Sequence, residues 1–293
     1  MRNFILGTDF LGDCDDALAI RIFARAHKKC EVRLLGIGIN ACDGRSIQAM
    51  DGLLNNEGVD IPVGIDLKGN DFCPNGCRYH GALVGLTDKV RANTDVPDAA
   101  KLYRRLISEA DGKVEIAEVG FLQVIADVLD SKPDEISPLN GVELFKKKVE
   151  RVWSMAGKWD EDGGREYNFC CNGRSVDGGR RLIRNCPVPI TFLGFEIGVD
   201  VISGSKLDES DPLKQVLKDY GTPDGRSSWD PMLVQLAIEG DPEKAGYSVV
   251  KGRATVEPDG SNHFIPDENG PHSYVRRNFP PSYYADIIDE LIK

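Results

Sequence analysis

The chain has 293 residues and a formal net charge of −11, because 47 acidic side chains outnumber 36 basic ones. This charge argues against a nucleic-acid partner, since a phosphate backbone is usually held by a basic face. Hydrophobic residues make up 41% of the chain, which excludes global disorder, and with only four histidines we expect the chemistry to depend on carboxylates.

Strand-like and helical patterns alternate along the chain. Strands are predicted at residues 4–6, 32–39, 61–64, 114–119, 149–155 and 188–195, and helices at residues 17–28, 46–54, 99–109, 122–129 and 283–293. This alternation predicts an α/β fold with a doubly wound, mostly parallel sheet and flanking helices. After about Gly246, short alternating stretches rich in Gly and Pro predict a small antiparallel C-terminal addition. No linker interrupts the pattern, so residues 1–293 are predicted to form a single domain.

The N-terminal segment has no charged region followed by a long apolar run, and no stretch reaches roughly 18 consecutive apolar residues. We therefore expect no signal peptide, no membrane contact and a cytoplasmic location, although a chain trimmed of its leader would look the same. Several of the eight cysteines lie in apolar runs, as reduced core thiols do. A loop disulfide between Cys73 and Cys77 is the alternative for that pair.

The densest cluster of acids follows the first predicted strand. Asp9, Asp13, Asp15 and Asp16 fall within eight residues, just before the first predicted helix. Capping of the helix N-terminus accounts for one or two of them, but like charges this close repel one another. A hard divalent cation offsets that repulsion, and carboxylates without histidine or thiolate favour Ca²⁺ or Mg²⁺. Ca²⁺ is preferred, because its large, flexible oxygen shell also accommodates sugar hydroxyls.

The same loop carries a family resemblance. Residues 5–20, Ile-Leu-Gly-Thr-Asp-Phe-Leu-Gly-Asp-Cys-Asp-Asp-Ala-Leu-Ala-Ile, resemble the N-terminal signature of the nucleoside hydrolases, with one extra loop residue and with Gly7 where the family usually has an aspartate. Four further blocks resemble family motifs in the same order, at residues 120–126, 166–169, 189–198 and 228–231. The resemblance therefore extends over most of the chain.

The resemblance implies a calcium-dependent hydrolase that cleaves the N-glycosidic bond of ribonucleosides or a related ribosyl compound and releases base and ribose. Such a reaction passes through an oxocarbenium-like transition state attacked by a metal-activated water. The implied calcium ligands are all oxygens, from Asp9, Asp16, Asp230 and the backbone carbonyl of Gln123. Asp9 is also the candidate general base, and the implied contacts with sugar hydroxyls come from Asp15, Glu166 and Asn168.

Three more positions are candidates for substrate binding on weaker signals. After the second predicted strand, Asp43 or Asn40 occupies the place of a family asparagine that touches the sugar, and turn formation is the alternative for either residue. His80 precedes a glycine, as a family histidine does, and a structural role is its alternative.

The resemblance fails at the leaving-group acid. Trp229 stands where well-studied members have a histidine, and an indole can stack on a base but cannot donate a titrating proton. Either another residue acts as the acid, or a stacked base leaves without full protonation, or the substrate is not an ordinary nucleoside. For His263 and His272, loop or surface roles are favoured over a role as this acid, and Asp13 has no assigned role.

Two other functions compete with hydrolysis of nucleosides. One is a ribose- or nucleoside-binding protein that has lost efficient catalysis, and the other is a phosphatase-like metal hydrolase that uses the aspartate cluster. By analogy with the family, the chain is expected to form a homodimer or homotetramer. The base preference does not follow from the sequence.

Overall fold

The computed structural model describes residues 1–72 and 75–293. The strands, in chain order, are β1 (Arg2–Thr8), β2 (Val32–Ile39), β3 (Val63–Ile65), β4 (Val114–Glu118), β5 (Val149–Met155), β6 (Gly164–Arg165), β7 (Ile190–Leu193), β8 (Ile202–Ser203), β9 (Arg226–Ser227), β10 (Tyr247–Val256), β11 (Ser261–Pro266) and β12 (His272–Arg277). A disulfide between Cys73 and Cys77 stays a prediction, because Cys73 lies outside the described residues.

The α-helices flank these strands. In chain order they are α1 (Asp15–Lys28), α2 (Ser46–Glu57), α3 (His80–Val84), α4 (Ala99–Glu109), α5 (Gln123–Leu129), α6 (Gly141–Lys148), α7 (Tyr167–Cys170), α8 (Gly173–Asn185), α9 (Phe195–Gly198), α10 (Pro212–Tyr220), α11 (Trp229–Glu239) and α12 (Pro281–Ile292). No helix in the described part of the chain combines the length and the apolar character that a bilayer-spanning segment requires.

Ten strands form one sheet in the order β3-β2-β1-β4-β5-β7-β12-β10-β11-β6. The pairs from β3 to β12 are parallel, whereas β10, β11 and β6 continue the sheet in antiparallel pairs. The predicted α/β class, the mostly parallel sheet and the antiparallel C-terminal addition are confirmed. That addition is part of the main sheet, because β12 pairs in parallel with β7.

The core lies on both faces of the sheet. Along β1, Phe4 and Leu6 face one side, where they pack with apolar residues of α1, α2, α11 and α12. The intervening Ile5 faces the other side and packs with α4, α5, α6 and α8. Burial on both faces explains why the central strands are nearly continuous apolar runs.

The strongest periodic patterns gave correct bounds for their elements. Val32–Ile39, Ala99–Glu109 and Val149–Met155 begin and end where the sequence predicts. The sequence pattern does not predict α8, which has three glycines and four arginines. Its Gly178 is buried against α5, where a β-carbon would lie 2.6 Å from the backbone nitrogen of Gln123. Close packing of the two helices, rather than helix propensity, therefore stabilises α8.

The parallel strands bring their carboxyl ends to one edge of the sheet. In open α/β sheets, ligands bind outside this edge. The acidic loop of residues 9–14, between β1 and α1, lies there, as do the residues that follow β4, β5 and β7. The assignment of residues 1–293 to a single domain stays a prediction.

Candidate functional site

A cavity of about 370 Å³ opens at the carboxyl edge of the parallel strands. Its wall is formed by Asp9, Gly12, Asp13, Asp15, Asp16, Val119, Met155, Glu166, Tyr167, Asn168, Phe195, Arg226, Trp229 and Asp230. Six of these residues are acidic, and Arg226 is the one basic residue on the wall among the residues described. The cavity therefore has an acidic side and an aromatic side, and both contain residues singled out in the sequence.

The acidic loop is held by contacts outside the cavity. Phe10 is buried and adopts a left-handed backbone conformation with φ of 47°, which a non-glycine residue rarely takes up. The imidazole Nε2 of buried His80 donates a hydrogen bond to the carbonyl oxygen of Phe10 at 2.8 Å, and its Nδ1 lies 3.4 Å from Oδ1 of Asp43. The hydrogen bond with His80 holds the pKa of Asp43 below its usual range. The structure thus places Asp43 and His80 behind the loop, not on the cavity wall.

Three carboxylates meet at the acidic side of the cavity. Asp15 and Asp16 lie in the first turn of α1 and Asp230 in the first turn of α11, and one oxygen of each lies within 4.8 Å of the others. Asp16 accepts hydrogen bonds from the hydroxyl of Thr8 and from the backbone N–H of Phe10, and Asp15 accepts one from the N–H of Asp230. Burial raises the pKa of all three carboxyl groups well above their usual range.

This triad has the donor chemistry of a site for a hard cation. All three donors are carboxylate oxygens, which suit Ca²⁺ or Mg²⁺ better than a transition metal. Three buried charges at such distances repel strongly unless a cation or protons compensate them. The one basic residue on the described wall, Arg226, is paired with Asp13 instead. The residues present therefore fit a divalent metal ion.

Asp9 lies beside the triad. Its carboxyl group is buried, and burial raises the pKa of Asp9 to about 7. Asp9 thus joins Asp15, Asp16 and Asp230 on the cavity wall, as the sequence motif suggests. Asp15 is close enough to Asp16 and Asp230 to bind the same cation. The family resemblance instead implies that Asp15 contacts a sugar hydroxyl.

Glu166 and Asn168 complete the polar part of the wall. Glu166 caps α7, because its carboxylate accepts hydrogen bonds from the N–H groups of Asn168 at 2.8 Å and Gly157 at 2.9 Å. Burial raises the pKa of Glu166 to about 7. The side-chain amide of Asn168 donates to the carbonyl oxygens of Met155 and Val119, and so joins the ends of β5 and β4.

The aromatic side is formed by Trp229 and Phe195. Their rings stack with centroids 5.4 Å apart, and the indole Nε1 of Trp229 donates to the carbonyl oxygen of Phe195 at 2.7 Å. The guanidinium carbon of Arg226 lies 5.2 Å from the centroid of the Trp229 ring, and Arg226 Nε donates to Asp13 Oδ1 at 2.9 Å. The sequence gives no signal for Arg226, because it lies in a two-residue strand and its partner is 213 residues away.

Asn40 and Gln123 lie next to each other behind the cavity wall. The side chain of Asn40 donates to Glu118 Oε1 at 2.7 Å and accepts from the N–H of Phe121 at 2.9 Å. Gln123 begins α5, and its side-chain amide donates to the carbonyl oxygen of Asn40 at 2.6 Å. These bonds connect the ends of β2 and β4, so the two side chains support the cavity wall from behind.

Glu118 is a buried carboxylate that no sequence motif identifies. It lies on β4 directly opposite Gly7 of β1, and a β-carbon at Gly7 would come within 2.0 Å of Glu118 Oε2. Burial raises the pKa of Glu118 well above its usual range. The absence of a side chain at Gly7 leaves the space that the Glu118 carboxyl group occupies.

The histidines of the C-terminal strands lie away from the cavity. His272 Nδ1 accepts a hydrogen bond from the N–H of Ala254 at 3.0 Å, and His263 pairs with exposed Asp162. No histidine lies on the cavity wall among the described residues. The structure thus gives Trp229 no imidazole neighbour that could protonate a leaving base.

Solved structures of nucleoside hydrolases resemble this fold over its full length. An inosine-uridine preferring nucleoside hydrolase from Bacillus anthracis matches with a TM-score of 0.70 at 15% identity, covering 100% of this chain and 99% of that chain. A purine-preferring ribonucleoside hydrolase from Gardnerella vaginalis matches with a TM-score of 0.72 at 15% identity, covering 99% of this chain and 98% of that chain.

The type III effector protein XopQ, solved in complex with adenosine diphosphate ribose, has the same architecture. Its TM-score is 0.70 at 13% identity, and the match covers 100% of this chain and 93% of that chain. No protein-family model and no curated protein matches the sequence. These likenesses show that the chain has the nucleoside hydrolase fold.

Proposed function

We propose that this protein is a calcium-dependent N-ribohydrolase, which cleaves the N-glycosidic bond of a ribonucleoside or a related ribosyl compound and releases base and ribose. The observation that carries the proposal is the cavity itself, in which the Asp15, Asp16 and Asp230 triad faces the stacked rings of Trp229 and Phe195. The acidic side suits a cation and a sugar diol, and the aromatic side suits a planar base. The nucleoside hydrolase fold supports the same assignment.

The acidic residues would hold the ion and orient the sugar. The proposed ligands are Asp16 and Asp230, together with Asp15, which lies close enough to both to bind the same ion. The family resemblance implies two more ligands, Asp9 and the backbone carbonyl of Gln123. When bound, the ion neutralises the carboxylates and lowers the pKa of a water molecule. Ca²⁺ is preferred to Mg²⁺ because its larger oxygen shell also admits hydroxyl groups of the substrate.

The wall residues would then carry the reaction. Glu166 and Asn168 hold sugar hydroxyls, which fixes the ribose while its ring acquires oxocarbenium character. Asp9 takes a proton from the attacking water as the new bond to C1′ forms. Trp229 and Phe195 stack against the base and keep it aligned for departure.

A panel of substrates tests this function. The protein is incubated with inosine, adenosine, uridine, cytidine and adenosine diphosphate ribose, with Ca²⁺ or with a chelator, and the released base is measured by chromatography. We expect calcium-dependent release from at least one compound and a loss of about 100-fold or more in kcat for Asp9→Asn, as for a group that takes a proton in the transition state. The matched control is Asp219→Asn, which changes an exposed aspartate on α10 and should leave the rate unchanged.

A ribose- or nucleoside-binding protein is the second candidate. It is favoured by Trp229, which occupies the place of the leaving-group acid and has no histidine near it on the described wall. Calorimetry with ribose and inosine distinguishes the two candidates. Tight calcium-dependent binding without release of base from any of the five compounds would support the binding protein and overturn the hydrolase.

A further inference from the structure

The guanidinium of Arg226 is fixed at the aromatic side of the cavity. Its Nε and Nη2 donate to both carboxylate oxygens of Asp13, and the group lies between the rings of Tyr220, at 5.4 Å, and Trp229, at 5.2 Å. Arg226 is 26% exposed and forms part of the cavity wall. Asp13 and the two rings therefore hold the group in a single orientation.

One end of this guanidinium is left for a ligand. Nη1 makes no hydrogen bond to any of the residues described, whereas Nε and Nη2 are both used by Asp13. A guanidinium only donates hydrogen bonds, so a partner for Nη1 must be an acceptor. Arg226 lines the same cavity as Trp229 and Phe195, in which a base would bind under the proposed function. The ion pair with Asp13 also raises the pKa of Arg226, so this group keeps its proton across the working pH range.

We propose that Arg226 stabilises the leaving group in place of a general acid, by donating from Nη1 to the base as negative charge develops on it. The inference rests on the proposed N-ribohydrolase function and extends it to the departure of the base. It defines the substrate class as ribosides whose aglycone leaves as an anion with its charge on an accepting oxygen or nitrogen. Preorganised donors aimed at developing charge are among the largest contributions to catalysis.

The bond changes balance without an acid. The C1′–N bond breaks, and its electron pair goes to the base nitrogen, while an oxygen of water forms the new bond to C1′. One proton of the water goes to Asp9 and then to solvent. The base departs as an anion hydrogen-bonded to Arg226 and takes a proton from solvent afterwards, so the sum is riboside plus water giving base plus ribose.

Two substrates with different leaving groups test the inference. Inosine has a poor leaving group that needs stabilisation, whereas p-nitrophenyl β-D-ribofuranoside releases a phenolate that is already stable. For Arg226→Gln we expect kcat with inosine to fall about 100-fold, as for removal of an oxyanion donor, and kcat with the nitrophenyl riboside to fall less than about 5-fold. The single variant leaves Asp13 without its partner and could fold poorly for that reason. The double variant Asp13→Asn/Arg226→Gln replaces the ion pair with two neutral side chains, and it should show the same two changes in kcat.

The control variant is Arg277→Gln, which removes an arginine paired with Asp200 away from the cavity wall. It should leave both rates unchanged. Calcium should stabilise Arg226→Gln as much as the unaltered protein, which shows that the metal side of the cavity is intact. The alkaline side of the kcat profile for inosine should be flat to about pH 8, because arginine does not lose its proton there.

The outcomes separate the two proposals. If the unaltered protein hydrolyses neither riboside, the proposed function and this inference both fail. If it hydrolyses both, but Arg226→Gln lowers the two rates by the same factor or not at all, only the role of Arg226 is overturned. A fall in kcat with a single pKa below about 8 also overturns it, because a titrating acid would then serve the leaving group.

Discussion

Replacing Asp230 with asparagine should affect stability in opposite directions with and without calcium. Asp230→Asn keeps the size of the side chain but removes its charge from the triad of Asp15, Asp16 and Asp230. Without a metal ion, the substitution relieves repulsion and should leave the protein as stable as the unaltered chain or more stable. With calcium, the substitution removes a ligand, so Asp230→Asn should be less stable than the unaltered protein.

The distances within the triad give the size of the effect. Two ionised carboxylates 4.8 Å apart repel by about 3.5 kcal/mol at an effective dielectric constant of about 20, and Asp230 takes part in two such pairs. The ~7 kcal/mol that results applies to full ionisation at the longest of these distances, and protons taken up by the triad remove most of it, so we expect a gain of about 1–3 kcal/mol. Calcium at about 100 times its dissociation constant should stabilise the unaltered protein by about 2.7 kcal/mol.

Thermal unfolding measures both effects. At about 2–4 °C per kcal/mol for a chain of this size, calcium should raise the Tm of the unaltered protein by about 5–10 °C, and that of Asp230→Asn by less than about 2 °C. The control Asp219→Asn should respond to calcium like the unaltered protein. An equal calcium-induced rise in Asp230→Asn, or a large loss of stability in chelator, would refute the reasoning that Asp230 is a charge held in place for a cation.

Three further substitutions test the support around the cavity. Gly7→Ala should lower the free energy of unfolding by about 1–3 kcal/mol in urea titrations, because its β-carbon would meet the carboxylate of Glu118 at 2.0 Å, whereas Gly44→Ala, with open space around it, should be neutral. His80→Ala should cost about 1–3 kcal/mol and weaken calcium binding measured by calorimetry, because it frees the backbone of the acidic loop. Glu166 has a pKa of about 7 in the fold against 4.5 in the unfolded chain, so its contribution to stability is complete below pH 4.5 and is lost as the pH rises through about 7. Glu166→Gln should show a smaller loss of stability between pH 5 and pH 8, because the buried aspartates still contribute theirs, and an unchanged pH dependence would contradict the burial argument.

The fold was predictable because its central elements have strong local patterns. Val32–Ile39 is an apolar strand buried within the sheet, and Ala99–Glu109 is amphipathic, so periodicity alone locates both. Helix α8 was not predictable in this way, because its buried Gly178 depends on the close approach of Gln123 from another helix. Elements stabilised mainly by tertiary contacts give little local signal.

Some residues of the cavity were predictable from the sequence and others were not. Asp9, Asp15 and Asp16 lie within one short segment, and Asp230 lies in a recognisable motif, so the sequence could place them together at a strand end. Arg226 could not be found, because its pairing with Asp13 depends on how distant segments pack. The positions of Asn40, Asp43, His80 and Gln123 behind the wall could not be found either, since strand-end placement does not tell which side of a loop a residue faces.

The contact between Gly7 and Glu118 implies that these two positions must change together. The two positions are direct neighbours in paired parallel strands, so the side chain allowed at one depends on the side chain at the other. An intermediate with both acids would force two buried charges together, and one with neither would leave the amide of Asn40 and the N–H of Gly120 without their acceptor. Each single change at these two positions is therefore expected to be costly, and an exchange of both together is expected to leave the interior less disturbed.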